Sequence, residues 1–301
     1  MTLPLLSSPG SLLTTDGQIE WRGTVLGGLS PYGWDNLEGW YDLPEQRGGN
    51  APLPGYHGSF GGRLVSGERV IVYDWRSKAN SLAEFGPAMD TLRRVTAPDE
   101  DPVEEELVVR LDGRSLLAWA RCDRRIIPTH RHYGLGRANG SLRWVATDPR
   151  LYSVEEHAEP VSLGAPGDSG IDFESGGVDF EDGGVDFGGG QQGGSVTVTA
   201  GGHVKTWPQL DVIGPTTGPA IVYSGRLLKF DPTFVVHSGQ TMTIDTRPGY
   251  RTVEIAGVSV RQHLLISQWT PLVPDTPTPI QFTAAYDAAS QLVVRWRDAW
   301  H

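Results

Sequence analysis

Residues Leu142–Ser153 read LRWVATDPRLYS, and this stretch decides how the flanking segments are interpreted. Its first half, through Trp144, alternates apolar and polar side chains, which indicates a strand with one buried face. The Asp148-Pro149 pair that follows predicts a turn, because proline lacks the amide hydrogen that a central strand would donate. The stretch therefore predicts a strand that ends in an Asp-Pro turn and then presents Tyr152.

Strands also precede this stretch, together with one helix. The segments ELVVRLDG, RSLLAWARCD and RRIIPTHRHYG, between Glu106 and Gly134, read as strands. Upstream of them, SKANSLAEFGPAMDTLRRV predicts a helix that Asn80 or Ser81 can cap, with a kink or a break at Gly86-Pro87. Its apolar side chains fall at helical spacing, at Leu82, Phe85, Met89 and Leu92.

Turns interrupt the first third of the chain. The Asp16-Gly17 pair lies between short β-prone segments and predicts a hairpin. Farther on, YDLPEQRGGNAPLPGYHGSFGG, from Tyr41 to Gly62, is too rich in glycine and proline for a helix or a central strand. A loop this long inside a compact domain is usually functional or holds a neighbour.

The segments after Tyr152 predict a second domain of short strands. VEEHAEPVSLG reads as a strand that leaves the first domain, and from Ser195 strand-turn units follow one another with period-two alternation. This pattern is typical of a β-sandwich or jelly roll. We therefore expect a mainly β protein, with a β domain that contains one helix at residues 1–155, a connector at 156–194 and a C-terminal β-sandwich at 195–301.

Between the two β domains the sequence repeats itself every seven residues, as GIDFESG, GVDFEDG and GVDFGGG. Each unit carries an aspartate that is a candidate calcium ligand, at Asp172, Asp179 and Asp186. In an extended chain a seven-residue step reverses the face of the side chain, so the three aspartates would not line one side. A connector with three short extended contacts is favoured, and a calcium site remains the alternative.

Composition limits the classes of partner. The 301 residues include 25 Lys+Arg and 36 Asp+Glu, a formal net charge of −11, so sequence-general binding to nucleic acid is not expected. A basic stretch from Arg121 to His132 reads as a solvated face or a charged patch for a partner. The single cysteine, Cys122, excludes an internal disulfide. With no long apolar run and no recognisable export signal, the sequence predicts a soluble protein made in a cytoplasm, without membrane contact.

Motifs for catalysis are missing from the sequence. It has no P-loop, H-E-x-x-H or G-x-S-x-G pattern, so we expect neither an enzyme nor a cofactor. His130 and His132, with Asp148, form only a weak zinc candidate, because adjacent arginines disfavour a dication. A glycan-binding module stays open as an alternative function, with aromatic residues that could stack on sugar rings at Trp207, Tyr223, Tyr250 and Trp269.

The order of these segments resembles the distal tail proteins of siphoviruses, the Dit or phage tail-component family. The resemblance rests on the junction formed by Trp144, Asp148, Pro149 and Tyr152, and on the Gly- and Pro-rich loop ahead of a long strand. In the C-terminal half it rests on WPQLDVIGPTTGPAIVY, SGQTMTIDTRPGYRTVEIAG and VVRWRDAW, which are similar to the minor tail proteins of actinobacteriophages. The acids in the repeat depart from the more apolar repeat of many members.

The resemblance implies a structural virion protein without enzymatic activity, assembled in the host cytoplasm. It implies a hexameric ring in the baseplate of a long non-contractile tail, with the first domain in the ring and a galectin-like β-sandwich projecting outward. Expected partners are further copies of the chain, the tail tube protein, tail-tip and receptor-binding proteins, and passing genomic DNA without specific binding; a host cell-surface glycan is the alternative partner. In such a ring a loop can lie on the neighbouring subunit, through Arg47, Gly55, Tyr56, His57 and Phe60.

Overall fold

Strands make up most of both halves of the chain in a computed structural model, which describes residues 8–101, 103–164, 192–285 and 287–301. The chain divides into two units, one formed by Met1–Val154 with Ala299–His301 and the other by Glu155–Asp298. In the described ranges a single α-helix is present, and it belongs to the first unit. The expected fold class, mainly β with one helix in the N-terminal domain, is confirmed.

The elements follow one another in chain order through both units. The first unit contains β1 (Gln18–Trp21), β2 (Thr24–Gly27), β3 (Tyr32–Glu38), β4 (Gln46–Gly48), β5 (Ala51–Pro52), β6 (Ser59–Phe60), β7 (Leu64–Ser66), β8 (Arg69–Ser77), α1 (Leu82–Val95), β9 (Glu105–Leu111), β10 (Arg114–Ile126), β11 (Asn139–Ala146) and β12 (Leu151–Ser153). The second unit contains β13 (His157–Ser162), β14 (Gln192–Val198), β15 (Gln209–Ile213), β16 (Thr216–Tyr223), β17 (Arg226–Phe230), β18 (Val235–Val236), β19 (Thr241–Asp245), β20 (Val253–Ile255), β21 (Val258–Ser259), β22 (Leu264–Ser267), β23 (Thr278–Ala285) and β24 (Gln291–Trp296). The last strand, β25 (Ala299–Trp300), belongs to the first unit.

One nine-stranded antiparallel sheet forms the body of the first unit, in the order β2-β1-β9-β10-β11-β8-β3, with β12 on β10 and β25 on β12. β10 belongs to both halves of this sheet, because its first part pairs with β9 and its second part with β11. A register shift between Cys122 and Arg124 marks a β-bulge at the change, and a bulge increases the bend and twist of a strand. The sheet and the helix enclose one core.

Two-residue turns with positive φ connect the hairpins of this sheet. Asp112-Gly113, with φ angles of 51° and 74°, joins β9 to β10. Arg22-Gly23, with φ angles of 47° and 69°, joins β1 to β2 in the same way. Such turns match the right-handed twist of the strands. They favour glycine, because other residues rarely adopt a backbone conformation with positive φ.

The hairpin predicted at Asp16-Gly17 is wrong. The pair precedes β1, and the Gly17 amide donates to the Arg110 carbonyl oxygen at 2.9 Å, which extends the ladder between β1 and β9. The Asp16 carboxylate instead accepts a hydrogen bond from the Gly113 amide at 3.0 Å. An Asp-Gly pair does form a hairpin turn in this sheet, but that pair is Asp112-Gly113.

The helix α1 has the predicted start. Ser81 is the N-cap, and its hydroxyl accepts a hydrogen bond from the Glu84 amide at 3.3 Å. The Glu84 carboxylate accepts in turn from the Asn80 amide at 3.1 Å. These bonds satisfy amide groups that have no partner inside the helix.

The helix buries Phe85, Met89 and Leu92 against the sheet, as its spacing predicts, whereas Leu82 in the first turn is 63% exposed. The predicted break at Gly86-Pro87 is absent, since α1 continues through Pro87. Pro87 removes a single amide donor near the helix start, and buried side chains on both sides of it hold the helix to the core.

Side-chain hydrogen bonds tie α1 to the sheet. The Trp21 indole nitrogen donates to the Val95 carbonyl oxygen at 2.7 Å, and the Tyr32 hydroxyl donates to the Ala88 carbonyl oxygen at 2.5 Å. Trp21 and Tyr32 are 1% and 3% exposed. Each donor therefore has its polar group satisfied inside the core, as buried polar groups require.

The second unit is a β-sandwich. One antiparallel sheet has the order β13-β24-β15-β19-β20-β21, and the other has the order β14-β23-β16-β17-β22 with β18 on β16. Both sheets contribute alternate side chains to one core, among them Leu210, Ile244, Val294, Ile221, Phe230 and Phe282. Two sheets that share a core in this way define a sandwich, so the expected C-terminal β-sandwich is confirmed.

The unit boundaries differ from the expected domain ranges. β13 lies in the expected connector, yet it pairs with β24 along its length and buries Val161 in the core of the second unit. At the other end, Ala299 and Trp300 pair with β12 of the first unit instead of closing the second. Local composition set the expected ranges, and it carries no information about pairing between strands that are distant in sequence. The seven-residue repeat, residues 170–190, lies outside the described residues.

Replacing Tyr32 by Phe should destabilise the first unit by about 1 kcal/mol, because the Ala88 carbonyl loses a buried donor while the aromatic ring is kept. Urea unfolding followed by tryptophan fluorescence measures the change. Tyr56→Phe is the matched control, since Tyr56 is 83% exposed, and it should leave the free energy of unfolding unchanged. Equal stability of the Tyr32→Phe variant and the parent would contradict the expectation.

Alkaline pH should destabilise the second unit through Tyr223. Burial raises the pKa of Tyr223 to about 12 from its ordinary value of 10.0, so the unfolded chain loses this proton first. The stabilising contribution of the neutral phenol is complete below about pH 10 and is lost as the pH rises toward 12. Calorimetry between these pH values should show a falling Tm, with a shallower fall for Tyr223→Phe and no change for Tyr250→Phe. A slope that Tyr223→Phe leaves unaltered would remove this group as the cause.

Candidate functional site

The arm, defined as Gln46–Ser66, leaves the body of the first unit between β3 and β8. β4 pairs with β7 at its base, and β5 pairs with β6 farther out. The segment predicted as an irregular loop is therefore a two-part antiparallel ribbon. The two sides of the ribbon approach closely at Gly49 and Gly62, where a Cβ atom on Gly62 would lie 2.2 Å from the Gly49 oxygen. The glycine content of this segment led to the prediction that it forms no strand. In the structure, the missing side chain of Gly62 allows the two backbones of the ribbon to approach each other.

The tip of the arm is closed by its own backbone. The Leu53 amide donates to the Gly58 carbonyl oxygen at 3.1 Å, and the Tyr56 amide donates to the Leu53 carbonyl oxygen at 3.3 Å. Gly55 turns the chain with φ 77°. The turn at the tip is therefore held by hydrogen bonds between its own backbone groups.

No described side chain of the arm is buried. Tyr56, Phe60 and Leu64 are 83%, 62% and 66% exposed, and Arg47 and His57 are exposed as well. Exposed apolar side chains that lie close together on a monomer commonly mark an interaction surface. The five residues proposed for subunit contact all lie on this projection, spread from its base to its tip.

A buried arginine fixes the root of the arm. Arg69 is the first residue of β8 and is 1% exposed. Its Nη1 atom donates to the carbonyl oxygens of Gly39, Trp40 and Asp42 at 2.7, 2.7 and 2.9 Å. Its Nε atom donates to the Pro149 carbonyl oxygen at 2.7 Å. The guanidinium group thus joins the segment that leads into the arm to the Asp-Pro turn.

The Asp-Pro turn is closed by the tyrosine that follows it. The Tyr152 hydroxyl donates to the Asp148 carboxylate at 2.7 Å. Arg150 donates to the same carboxylate at 3.4 Å and to the Tyr152 hydroxyl at 3.2 Å. β12, which carries Tyr152, lies between β10 and β25. The spacing Asp-Pro-x-x-Tyr therefore has a physical cause, since it places a donor over the carboxylate of its own turn.

The four junction residues do not act together. Asp148, Pro149 and Tyr152 belong to one network with Arg69. Trp144 lies apart from this network, fully buried on β11, with its ring centre 5.9 Å from that of Trp21. Trp144 is a core residue of the sheet.

Burial controls the protonation of this network. It lowers the pKa of Arg69 to about 10, although the charges of Asp42 and Asp148 oppose the decrease. The guanidinium group is therefore still protonated at neutral pH. The carbonyl partners of its Nη1 and Nε atoms replace part of the water that it has lost, while its Nη2 atom has no hydrogen-bond partner among the described residues. Burial also raises the pKa of Tyr152, with the Asp148 charge as the next cause, which keeps the hydroxyl a donor.

A cavity of about 610 Å³, called the root cavity, opens beside Arg69 where the arm meets the body of the unit. Its lining includes Asp42, Leu43, Glu45, Glu68, Arg69 and Val70. Its volume lies in the range of about 300–1,000 Å³ that is usual for binding clefts.

Tyr223 cannot stack on a sugar. It is 1% exposed and belongs to the core of the second unit, because its position on β16 points inward, so that expectation is wrong. Trp207 is half-buried in the segment before β15. The alternating pattern of β16 predicted that Tyr223 lies on a strand. It did not predict which face of that strand is buried in the core.

The other two aromatic candidates each have an arginine over one ring face. The Arg247 guanidinium lies 4.5 Å from the ring centre of Tyr250, which is 55% exposed. The Arg261 guanidinium lies 5.7 Å from the ring centre of Trp269. Each cation-π contact occupies one of the two ring faces on which a sugar could stack.

The candidate calcium ligands Asp172, Asp179 and Asp186 lie outside the described residues. Within the ranges that are described, no three His, Cys, Asp or Glu side chains come together as a metal site. His130 and His132 lie in the loop after β10 and not on a strand. Among the described helices, none combines the length and the apolar character that crossing a membrane requires.

Sequence reasoning missed Arg69, the residue that connects the arm to the junction. One weak signal was available, because an arginine directly before the apolar run VIVY occupies the start of a core strand, where charged residues are rarely fully buried. The pairing of Arg69 with Ala146 across β8 and β11 brings it close to Asp148-Pro149. That register could not be read from either segment alone.

Comparison with solved structures establishes the fold. The SPP1 Dit protein, described as a paradigm of the hub adsorption apparatus in phages that infect Gram-positive bacteria, matches with a TM-score of 0.62 and 13% identity, over 94% of this chain and 99% of that chain. Two structures of the phage P2 baseplate in its activated conformation, with Ca and with Sr, match at a TM-score of 0.48 and 9% identity, over 92% of this chain and 97% and 96% of theirs. TM-scores below about 0.5 do not establish a shared fold. No protein-family model and no curated protein matches the sequence. The resemblance to distal tail proteins is confirmed at the level of the fold.

Replacing Arg69 by Leu should destabilise the first unit by about 3 kcal/mol or more, since four carbonyl oxygens lose their donor at about 1 kcal/mol each. Guanidinium chloride unfolding measures the loss. Arg76→Leu on the same strand is the control, because Arg76 is 61% exposed in a surface ion pair with Asp35, and it should cost less than about 1 kcal/mol. Similar losses for both variants would refute the anchoring role.

Proposed function

We propose that this chain is a structural protein of a phage tail tip, and that six copies form a ring there. The observation that carries the proposal is the shared fold with the SPP1 Dit protein over nearly the full length of both chains. Because both units and their order along the chain are included in that match, the likeness covers a whole architecture and not a single common domain.

The arm supports an assembly role. It is a defined ribbon whose side chains make no buried contact with its own unit. Ordering such a segment costs conformational entropy, and contact with a neighbouring copy offsets this cost. A ring also covers strand edges that would otherwise invite aggregation.

The proposed ring joins the tail tube to the tail-tip and receptor-binding proteins in the virion, and genomic DNA passes through it. The net charge of −11 supports this part of the proposal, because a surface of like charge does not hold the phosphate backbone tightly. The role assigned to the chain is mechanical, and no catalytic step is part of it.

Glycan binding has less support as the function. Tyr223 is in the core, and arginines lie over one face of Tyr250 and of Trp269. Trp207 alone among the candidates has neither obstacle in the described structure. Host attachment is therefore assigned to partner proteins of the ring.

Light scattering after size exclusion tests the ring. At increasing concentration the mass should approach six times the 32.7 kDa of one chain, and negative-stain images should show six-fold rings. A variant without residues 50–61, in which Gly49 is joined to Gly62, should remain folded and lose assembly. The two glycines are already neighbours across the ribbon, so this deletion leaves β4 and β7 paired.

Leu29→Ser is the matched control for the deletion. Leu29 is 101% exposed and lies outside the arm, so its loss should leave the ring intact. A folded protein that stays monomeric at every concentration would contradict the proposed ring. A deletion variant that assembles as well as the parent would contradict the role of the arm.

A further inference from the structure

We propose that the root cavity of one copy receives the outer part of the arm, residues 50–63, of a second copy. The inference rests on the proposed ring and names the surface on which the arm lies. Three observations carry it: the charges of the two surfaces, their exposed apolar side chains, and their separation within one copy.

The arm and the root cavity carry opposite charges. From Gln46 to Gly67 the chain has no Asp or Glu, whereas it has Arg47, His57 and Arg63. The root cavity is lined by Asp42, Glu45 and Glu68 and by two arginines, the buried Arg69 and Arg47, which itself belongs to the base of the arm. Glu45 and Arg63 take part in none of the ion pairs found among the described residues, and neither does Glu68, although its charge adds to the hydrogen bond with Asp123 in raising the pKa of Arg143. Unpaired charges of opposite sign on two surfaces favour their association and set its register.

Both surfaces also expose apolar side chains. At the root cavity Leu43 and Val70 are 67% and 39% exposed. On the arm Tyr56 and Phe60 are 83% and 62% exposed. Seating the aromatic side chains of the arm against Leu43 and Val70 removes apolar surface from water on both partners, which is the main favourable contribution to association.

The two surfaces are separated within one copy. None of the residues from Asn50 to Val65 lines the root cavity. The chain runs six positions from Gln46 to Pro52 before the tip turns, which in an extended ribbon corresponds to about 20 Å. A contact between two different surfaces of identical copies can repeat head-to-tail, and it then produces a closed ring when the rotation between copies closes. The occupant that fits is therefore the arm of the next copy.

Disulfide trapping in the full chain tests the inference. In a Cys122→Ser background, chains carrying Tyr56→Cys are mixed with differently tagged chains carrying Leu43→Cys and oxidised gently. A disulfide needs Cα atoms within about 7 Å, so the mixed product should form efficiently between these two. Chains with Leu29→Cys, an exposed site outside the cavity, are the control and should give at least about tenfold less mixed product. Equal yields with Leu29→Cys and Leu43→Cys would overturn the inference.

Charge reversal gives a second, independent readout. Glu45→Lys with Glu68→Lys should lower the trapped fraction by about tenfold or more, as expected for about 1.4 kcal/mol, and Arg63→Glu added to the Tyr56→Cys chain should restore it. Glu159→Lys on β13, exposed in the second unit, should have no effect. Failure of Arg63→Glu to restore trapping would refute the charge pairing.

The outcomes separate this inference from the proposed ring. If deletion of residues 50–61 abolishes assembly while Tyr56→Cys does not react with Leu43→Cys, the arm mediates the ring but the root cavity is not its receptor, and the inference falls. If trapping succeeds while light scattering shows a stoichiometry other than six, the inference stands and the hexamer is rejected.

Discussion

The buried guanidinium of Arg69 is the interaction on which the candidate site depends. A protonated group with 1% exposure can remain inside only because it donates to four carbonyl oxygens. Those oxygens belong to two segments that are distant in sequence, Gly39–Asp42 ahead of the arm and Pro149 in the Asp-Pro turn. One charged group therefore sets the direction in which the arm leaves the body of the unit. The same anchor defines one wall of the root cavity.

The order of the arm depends on tertiary contacts at its base. The arm contains only short ribbon pairs, β4 with β7 and β5 with β6, and such isolated ribbons are marginal in water. Its base gains order because the Gly67 amide donates to the Glu45 carbonyl oxygen at 2.7 Å, directly beside Arg69. The hydrogen-bonded root and the exposed tip are thus consecutive parts of one chain segment.

Much of the fold could be predicted from the sequence, because the deciding signals are local. The period-two strands, the Ser81 cap of α1 and the buried stripe Phe85, Met89 and Leu92 need no information from elsewhere in the chain. The Asp-Pro-x-x-Tyr junction could be located from the sequence. The exposure of Tyr56 and Phe60 could be anticipated because both lie in a segment rich in glycine and proline. What escaped prediction depends on register between distant strands: the place of Arg69 beside Pro149, the inward direction of Tyr223, and the assignment of β13 and β25. No local pattern fixes those pairings.

The position of β25 makes the second unit an insertion in the first. β12 and β25 pair as Leu151 with Trp300 and Tyr152 with Ala299, while every residue of the second unit lies between them in the chain. During synthesis the first unit lacks this last strand until the ribosome has passed the whole second unit, so the strand beside the Asp-Pro turn gains its outer partner only then. Completion of the first unit therefore requires that translation has run through the whole sandwich. A chain truncated before β25 would carry a first unit with an open strand edge.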